Sequence, residues 1–142
     1  MRVVLVVCAQ SAIIDQQSNA LSIINIFQEI SSPSFPFAIG GFAIASLITR
    51  EEDEAENPTD LTLRMHLGND QIMEANLDVN FQGRLALRHI GNIQGMLITE
   101  PGELVVSVNQ GTQQLGSWSI SIMQIGQPVL TTEATPAIAP LQ

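Results

Sequence analysis

The sequence predicts an all-β fold: an antiparallel β-sandwich of seven to nine short strands, with Greek-key crossings and an extended C-terminal arm. Three observations lead there. Apolar and polar residues alternate with period two along most of the chain, while helical spacing is nearly missing. Clusters of Gly, Pro, Asn and Asp interrupt the alternation at fairly regular intervals. Seventeen Ile, nine Val and fourteen Leu in 142 residues are enough apolar bulk for one packed domain and argue against disorder.

The elements follow in chain order. Arg2–Ile14 is the first strand, joined through the turn-rich segment Asp15–Asn19 to a second over Ala20–Ile30. Phe37–Thr49 is the third. The segment from Arg50 to Asp60 holds Glu51, Glu52, Asp53, Glu54, Glu56 and Asp60, together with Asn57-Pro58, and reads as a solvated loop. Leu61, Leu63, Met65 and Leu67 alternate with polar residues. So do Met73, Ala75, Leu77, Val79 and Phe81, and Gly68-Asn69-Asp70 between the two runs predicts a hairpin. Leu85–Thr99 is interrupted by Gly91 and Gly95, which predict bulges or a crossing. A last hairpin joins Leu104–Asn109 to Leu115–Ile125 through Gly111-Thr112-Gln113-Gln114, with Trp118 in phase with Ile120 and Ile122 and so in the core. Residues 1–125 form the sandwich domain. Residues 126–142, with Pro128, Pro136 and Pro140, form the extended arm.

Charge excludes several classes of partner. Five Arg, no Lys and fourteen acids give a net charge of −9, a poor basis for binding nucleic acid or anionic lipid. No apolar run approaches the ~20 residues of a membrane span. Cys8 is the only cysteine, so no internal disulfide is expected. The apolar run behind Arg2 is short and lacks a small-residue cleavage site, so it reads as a buried strand rather than a signal. A cytoplasmic location is the default expectation.

The first 49 residues carry only Arg2, Asp15 and Glu29 as charges, and their strands are apolar on both faces. Val4 and Val6 flank one side of the first strand, Ile24 and Ile26 one side of the second, and Phe42, Ile44 and Ile48 one side of the third. A sandwich strand normally wets one face, so this pattern demands a second cover. Either another copy of the chain supplies it, or the chain does so itself, through its arm, the Phe35-Pro36-Phe37 loop or barrel closure. The first reading makes those seven residues the expected interface.

Chemistry finds little footing. In the acidic loop Glu51, Asp53, Glu54 and Asp60 are the candidate ligands for a divalent cation, but the alternating Asp/Asn spacing and Gly of a dedicated loop are missing. His66 and His89 stand apart without partners at metal-ligand spacing. Arg84, Arg88 and His89 either form a cationic patch for a small carboxylate or phosphate, or pair with Glu74, Asp78 or the acidic loop. No nucleophile elbow, Walker loop or dinucleotide fingerprint is present, and Cys8 sits in an apolar strand where a thiol stays protonated. Neither catalysis nor a cofactor is expected.

Cys8, Asp15, Leu21-Ser22-Ile23-Ile24-Asn25-Ile26-Phe27 and Phe35-Pro36-Phe37 together resemble the opening of a family of small uncharacterised bacterial proteins. Pro101-Gly102-Glu103 before Leu104–Val108 is similar to that family's closing hairpin and to the hairpins of immunoglobulin-like sandwiches. The resemblance spans about residues 5–125; it implies a sandwich fold and supplies no catalytic residue. Asn25 departs from the family pattern, which usually has Gly there. The expected function is therefore a non-enzymatic structural or interaction module that self-associates through residues 3–48. A ligand-binding sandwich using its end loops is the alternative.

Overall fold

The computed structural model describes residues 1–126. Apart from Gly126, the expected arm lies outside them. Strands β1 (Arg2–Ile14), β2 (Leu21–Ile26), β5 (Phe42–Thr49) and β8 (Ala86–Ile93) form one sheet in the order β2-β1-β5-β8. The second sheet comprises β3 (Glu29–Ser32), β6 (Leu61–Leu67), β7 (Asp70–Asn76), β10 (Gly102–Gln110) and β11 (Gln113–Gln124), in the order β3-β11-β10-β6-β7. Two short strands, β4 (Phe37–Ile39) and β9 (Met96–Ile98), pair separately. All pairings are antiparallel except β3 with β11. The architecture is the expected all-β sandwich.

Three expected strands are each split in two, which raises the count to eleven. The run Ala20–Ile30 breaks at Phe27-Gln28, where the chain leaves the first sheet for the second. Trp118 anchors this crossing by donating its indole N–H to the Phe27 carbonyl at 2.8 Å. Gly40-Gly41 divides β4 from β5, and Gln94-Gly95 divides β8 from β9. The ladder of β7 ends at Asn76, yet Leu77, Val79 and Phe81 stay buried, so the alternation continues in packing after pairing stops. Trp118 is half-buried at the core's margin, with Ile120 and Ile122 fully inside.

Between the sheets Val6, Cys8, Ile44 and Ile48 meet Leu63, Met65, Val106, Val108 and Ile120. This corrects the expectation for four interface candidates. Val6, Phe42, Ile44 and Ile48 are inward-facing core residues with no surface to offer a partner. In β1 a bulge separates Val6 from Val4: Val3 pairs with Ile48 and Leu5 with Leu47, so the residue between them, Val4, is skipped and left exposed.

The outer faces of the two sheets differ sharply. That of the second sheet is polar, with the half-buried Thr62, Arg64 and His66 on β6 and the buried, mutually hydrogen-bonded Ser107 and Asn109 on β10. On the first sheet the outer face is Val7, Ala9, Ala43 and Ala45, all at most 1% exposed although they point away from the inter-sheet core. What covers them is the far half of the β1–β2 hairpin. Leu47 pairs with both Leu5 and Arg88, and the Arg88 guanidinium holds the backbone and side-chain oxygens of Asn19 in the hairpin turn. A straight β1 would carry its end at Ile14 about 30 Å beyond Leu5, several times an arginine's reach. The hairpin must therefore fold back over the sheet.

The bend is visible in the ladder. Ala9 pairs with Ile26 and Ser11 with Ile24 in one continuous register, while Gln10 and Asn25, which stand opposite each other between them, form no ladder pair. Asn25 has φ +57°, a left-handed conformation that Gly adopts freely and Asn tolerates better than other residues. That conformation accounts for an Asn at this position. Its side-chain amide donates to the Gln10 carboxamide oxygen across the bend. Beyond it, Ala12, Leu21 and Ile23 are half-buried, while Ile13, Ile24 and Ile26 face solvent. At the tip the Asp15 carboxylate accepts backbone N–H bonds from Gln17 and Ser18, which hold its pKa below the usual carboxylate range.

The two layers approach most closely where β11 passes β1. A Cβ added at Gly116 would lie 2.8 Å from Val3 Cγ1 and 3.2 Å from Val3 Cβ. Val3 is β-branched and part of the core margin, so it cannot swing aside. Gly116→Ala is expected to destabilise the fold by about 1–3 kcal/mol in urea unfolding, and Val3→Ala in the same chain should recover part of that loss.

Candidate functional site

Three surface regions carry the residues that the sequence singles out. The first is the acidic loop, and its centre is a cation already supplied by the chain. Arg50, at the end of β5, is 9% exposed. Its Nε donates to the Arg84 carbonyl at 2.8 Å, and Nη1 donates to the carbonyls of Glu54 at 3.0 Å and Glu51 at 3.3 Å. Nη2 lies 3.5 Å from the Glu56 carboxylate, and the guanidinium stacks over the Phe81 ring at 5.5 Å. Glu54 closes the loop by accepting from the Glu51 N–H at 2.8 Å and from the Met1 amino group. The hydrogen bond from that amino group is the main reason the Glu54 carboxyl sits below its ordinary pKa.

The segment is largely exposed, as a solvated loop should be, and what residue order does not reveal is the buried Arg at its head. The cation candidates are not gathered: Glu54 is committed to Met1 and Glu51, while Asp60 is a left-handed residue at the base of β6 whose carbonyl accepts from Gly111. Among the described residues no three His, Cys, Asp or Glu side chains converge in a metal-binding arrangement. Two shallow clefts flank the loop. One, of about 420 Å³, is lined by Arg2, Thr49, Asp53 and their neighbours; the other, about 300 Å³, by Asn57, Pro58 and Gln110.

The second region is a cleft of about 610 Å³ between the hairpin tip and the start of β8, lined by Asn19, Leu47, Arg84, Leu85, Ala86 and Arg88. The structure brings Arg84 and Arg88 together here, and neither makes an ion pair with the acids expected to neutralise them, although Arg84 borders the acidic loop through its carbonyl bond to Arg50. Glu74 pairs instead with Arg64, its cross-strand neighbour, at 2.9 Å, and the Arg64 hydrogen bond lowers the Glu74 pKa. Among the described residues neither Arg84 nor Arg88 has an ion-pair partner. Asn19, which the sequence reading passed over as a turn residue, is the actual partner of Arg88, with Nη2 2.7 Å from its side-chain oxygen. His89 points to the opposite side of β8 from Arg88, so it does not join this patch. His66 lies on the other sheet.

The third region is the outward face of the hairpin. Of the seven expected interface residues, Val4, Ile24 and Ile26 are exposed at 47%, 44% and 44%, joined by Ile13 at 56%. Cys8 offers no chemistry at the surface, since burial in the core pushes its thiol pKa up to about 12. No helix among the described residues is long and apolar enough to cross a membrane.

Two outcomes follow. Arg50→Ala would strand the carbonyls of Glu51, Glu54 and Arg84 and is expected to cost about 3 kcal/mol in chemical denaturation, with Arg50→Lys recovering little because it lacks the fork. His89 is half-buried and desolvation lowers its pKa below 6.5. Its unfolded form then binds the proton more readily, so stability falls as pH drops below 6.5 and stops falling once pH has passed the folded pKa. Unfolding midpoints measured from pH 7.5 to pH 5 should decline in the native sequence and decline less in His89→Gln.

A family model described as a family of unknown function, DUF6941, matches residues 4–123. No curated protein and no solved structure matches the chain.

Proposed function

The chain belongs to the DUF6941 family, and we propose that it is a non-enzymatic interaction module that self-associates through the β1–β2 hairpin. The observation that carries this reading is the edge of β2, which no further strand pairs among the described residues. Four strands end the two large sheets: β2 and β8 in one, β3 and β7 in the other. Three of them bear charges, Arg88 on β8, Glu29 on β3, and Asp70 and Glu74 on β7. Strand β2, Leu-Ser-Ile-Ile-Asn-Ile, bears none and contains no proline. Charged or proline-bearing edges are the usual protection against unwanted strand pairing, and β2 lacks it.

A second copy is the occupant that charge favours. Two chains of net charge −9 repel across most of their surfaces. The stretch from Gln16 to Gln28 has no charged residue, so two copies can approach there without setting like charges against each other. Antiparallel pairing of β2 with its counterpart about a two-fold axis would satisfy the free backbone groups of both edges and bring Ile24 and Ile26 of each copy together. The buried thiol of Cys8 and the placement of the two histidines on separate sheets support a non-catalytic role. The turn Pro101-Gly102-Glu103 leading into β10 is consistent with an immunoglobulin-like kinship for the closing hairpin, which we infer as part of the same reading.

Light scattering across a concentration series from low micromolar upward tests the proposal. The native chain is expected to shift from monomer toward dimer, and Ile24→Lys to remain monomeric at every concentration with an unchanged unfolding midpoint. A native chain that stays monomeric throughout rejects it. Ile44 is the wrong position for such a test, since a charge there would unfold the core.

A further inference from the structure

We propose that the cleft between the hairpin tip and β8 binds a small organic carboxylate, an anion whose head meets Arg84 and Arg88 and whose apolar tail rests on Leu47, Leu85 and Ala86. Charge balance is the starting point. The chain has five arginines, and in a protein of net charge −9 each has acids to choose from. Arg50 and Arg64 have taken theirs at Glu56 and Glu74, and Arg2, though it makes no ion pair among the described residues, lines a cleft with Glu51, Asp53 and Glu54. Arg84 and Arg88 line one cleft together and, among the described residues, have no carboxylate.

The two arginines are held differently, Arg84 through its backbone alone and Arg88 through its guanidinium. The Arg84 backbone is fixed on two sides, its N–H donating to the Phe81 carbonyl at 2.9 Å and its carbonyl accepting from Arg50 at 2.8 Å. Arg88 is fixed by its side chain, which lies across the cleft with two of its N–H groups on Asn19. A guanidinium has five N–H donors in a planar fork, so three remain for a ligand. Because Asn19 already restrains the side chain, an anion that binds it loses less rotamer freedom than it would on a loose surface arginine.

The rest of the cleft selects the kind of anion. Leu47, Leu85 and Ala86 supply an apolar floor, and Leu85 is 44% exposed beside the two cations. A free phosphate carries acceptor oxygens on every side and would leave those facing Leu47 and Leu85 without donors. A carboxylate concentrates its charge at one end and can present hydrocarbon to the floor. The cleft, about 610 Å³, is broad and open to solvent, so a ligand seated on its floor keeps part of its surface in water.

Isothermal titration of the full chain at low salt, with octanoate as probe and inorganic phosphate as comparison, tests the assignment. Octanoate is expected to bind one to one. Arg84→Ala and Arg88→Ala should each weaken it about tenfold, Arg88→Lys should weaken it nearly as much by removing the fork, and Leu85→Ser should weaken it with both charges intact. Near-ultraviolet circular dichroism of Trp118 verifies that each variant is folded. Phosphate binding as tight as octanoate, octanoate binding unaffected by either alanine variant, or no octanoate heat at millimolar concentration would each overturn the proposal. None of these outcomes depends on whether the chain self-associates.

Discussion

Keeping both sides of one sheet dry is the constraint on which the architecture rests. On its inner side the β1–β5–β8 layer packs Val6, Cys8, Ile44 and Ile48 against the second sheet in the ordinary manner of a sandwich. The outer side is equally apolar, and water there would oppose folding by about 25 cal/mol for every Å² left exposed. The chain answers by lengthening β1 past its pairing with β5, bending it at Gln10 and Asn25, and laying the resulting hairpin back over Val7, Ala9, Ala43 and Ala45. The composition of that face is what permits this. Three of the four residues are alanine, and a face of small side chains lets a second layer come close without voids.

The same economy of charge explains the opposite end of the sandwich. A segment with six acids in eleven residues would repel itself if it were merely solvated. Instead Arg50 enters its middle, and its guanidinium binds carbonyls as much as carboxylates. This arrangement ties three separate stretches together: the loop itself, the residues leading into β8 through Arg84, and the Phe81 turn. A buried charge is tolerable only when its donors are matched, and here the matching groups are mostly backbone oxygens that would otherwise need water.

Period-two alternation made much of this fold legible. The β6–β7 and β10–β11 hairpins, the β1–β2 hairpin, the break at Gly95 and the burial of Leu77, Val79 and Phe81 can all be read from residue order, whereas Gly91, also expected to interrupt its run, pairs regularly with Ile44 inside β8. Uniformly apolar stretches are another matter. In Val3–Ala9 and Phe42–Ile48 both faces are greasy, so alternation cannot tell which one meets the second sheet. The bulge at Val4 then shifts the phase at a point no residue type marks. Arg50 and Asn19 escaped notice for a related reason: each acts through a partner more than thirty residues away, Arg84 in one case and Arg88 in the other. The signal that was available lay in the conformation-sensitive positions. Asn25, a residue type that tolerates positive φ, marks the left-handed bend on which the fold-back turns.

Internal cover and contact with another copy look like rival answers to the problem of doubly apolar strands, but the hairpin makes them successive. A two-stranded ribbon has two faces of its own. Turning Ala12, Leu21 and Ile23 inward to shelter the alanines obliges Ile13, Ile24 and Ile26 to turn outward, because neighbouring residues on a strand point to opposite sides. The cover thus transfers exposure from a broad sheet to a narrow ribbon and cannot abolish it. A polar residue at Ile24 or a lysine along β2 would end the sequence there at little cost to the sheet beneath, as charges do on β3, β7 and β8. Retaining isoleucine on the outward face and an uncharged free edge beside it is the feature of the ribbon that shielding alone does not require.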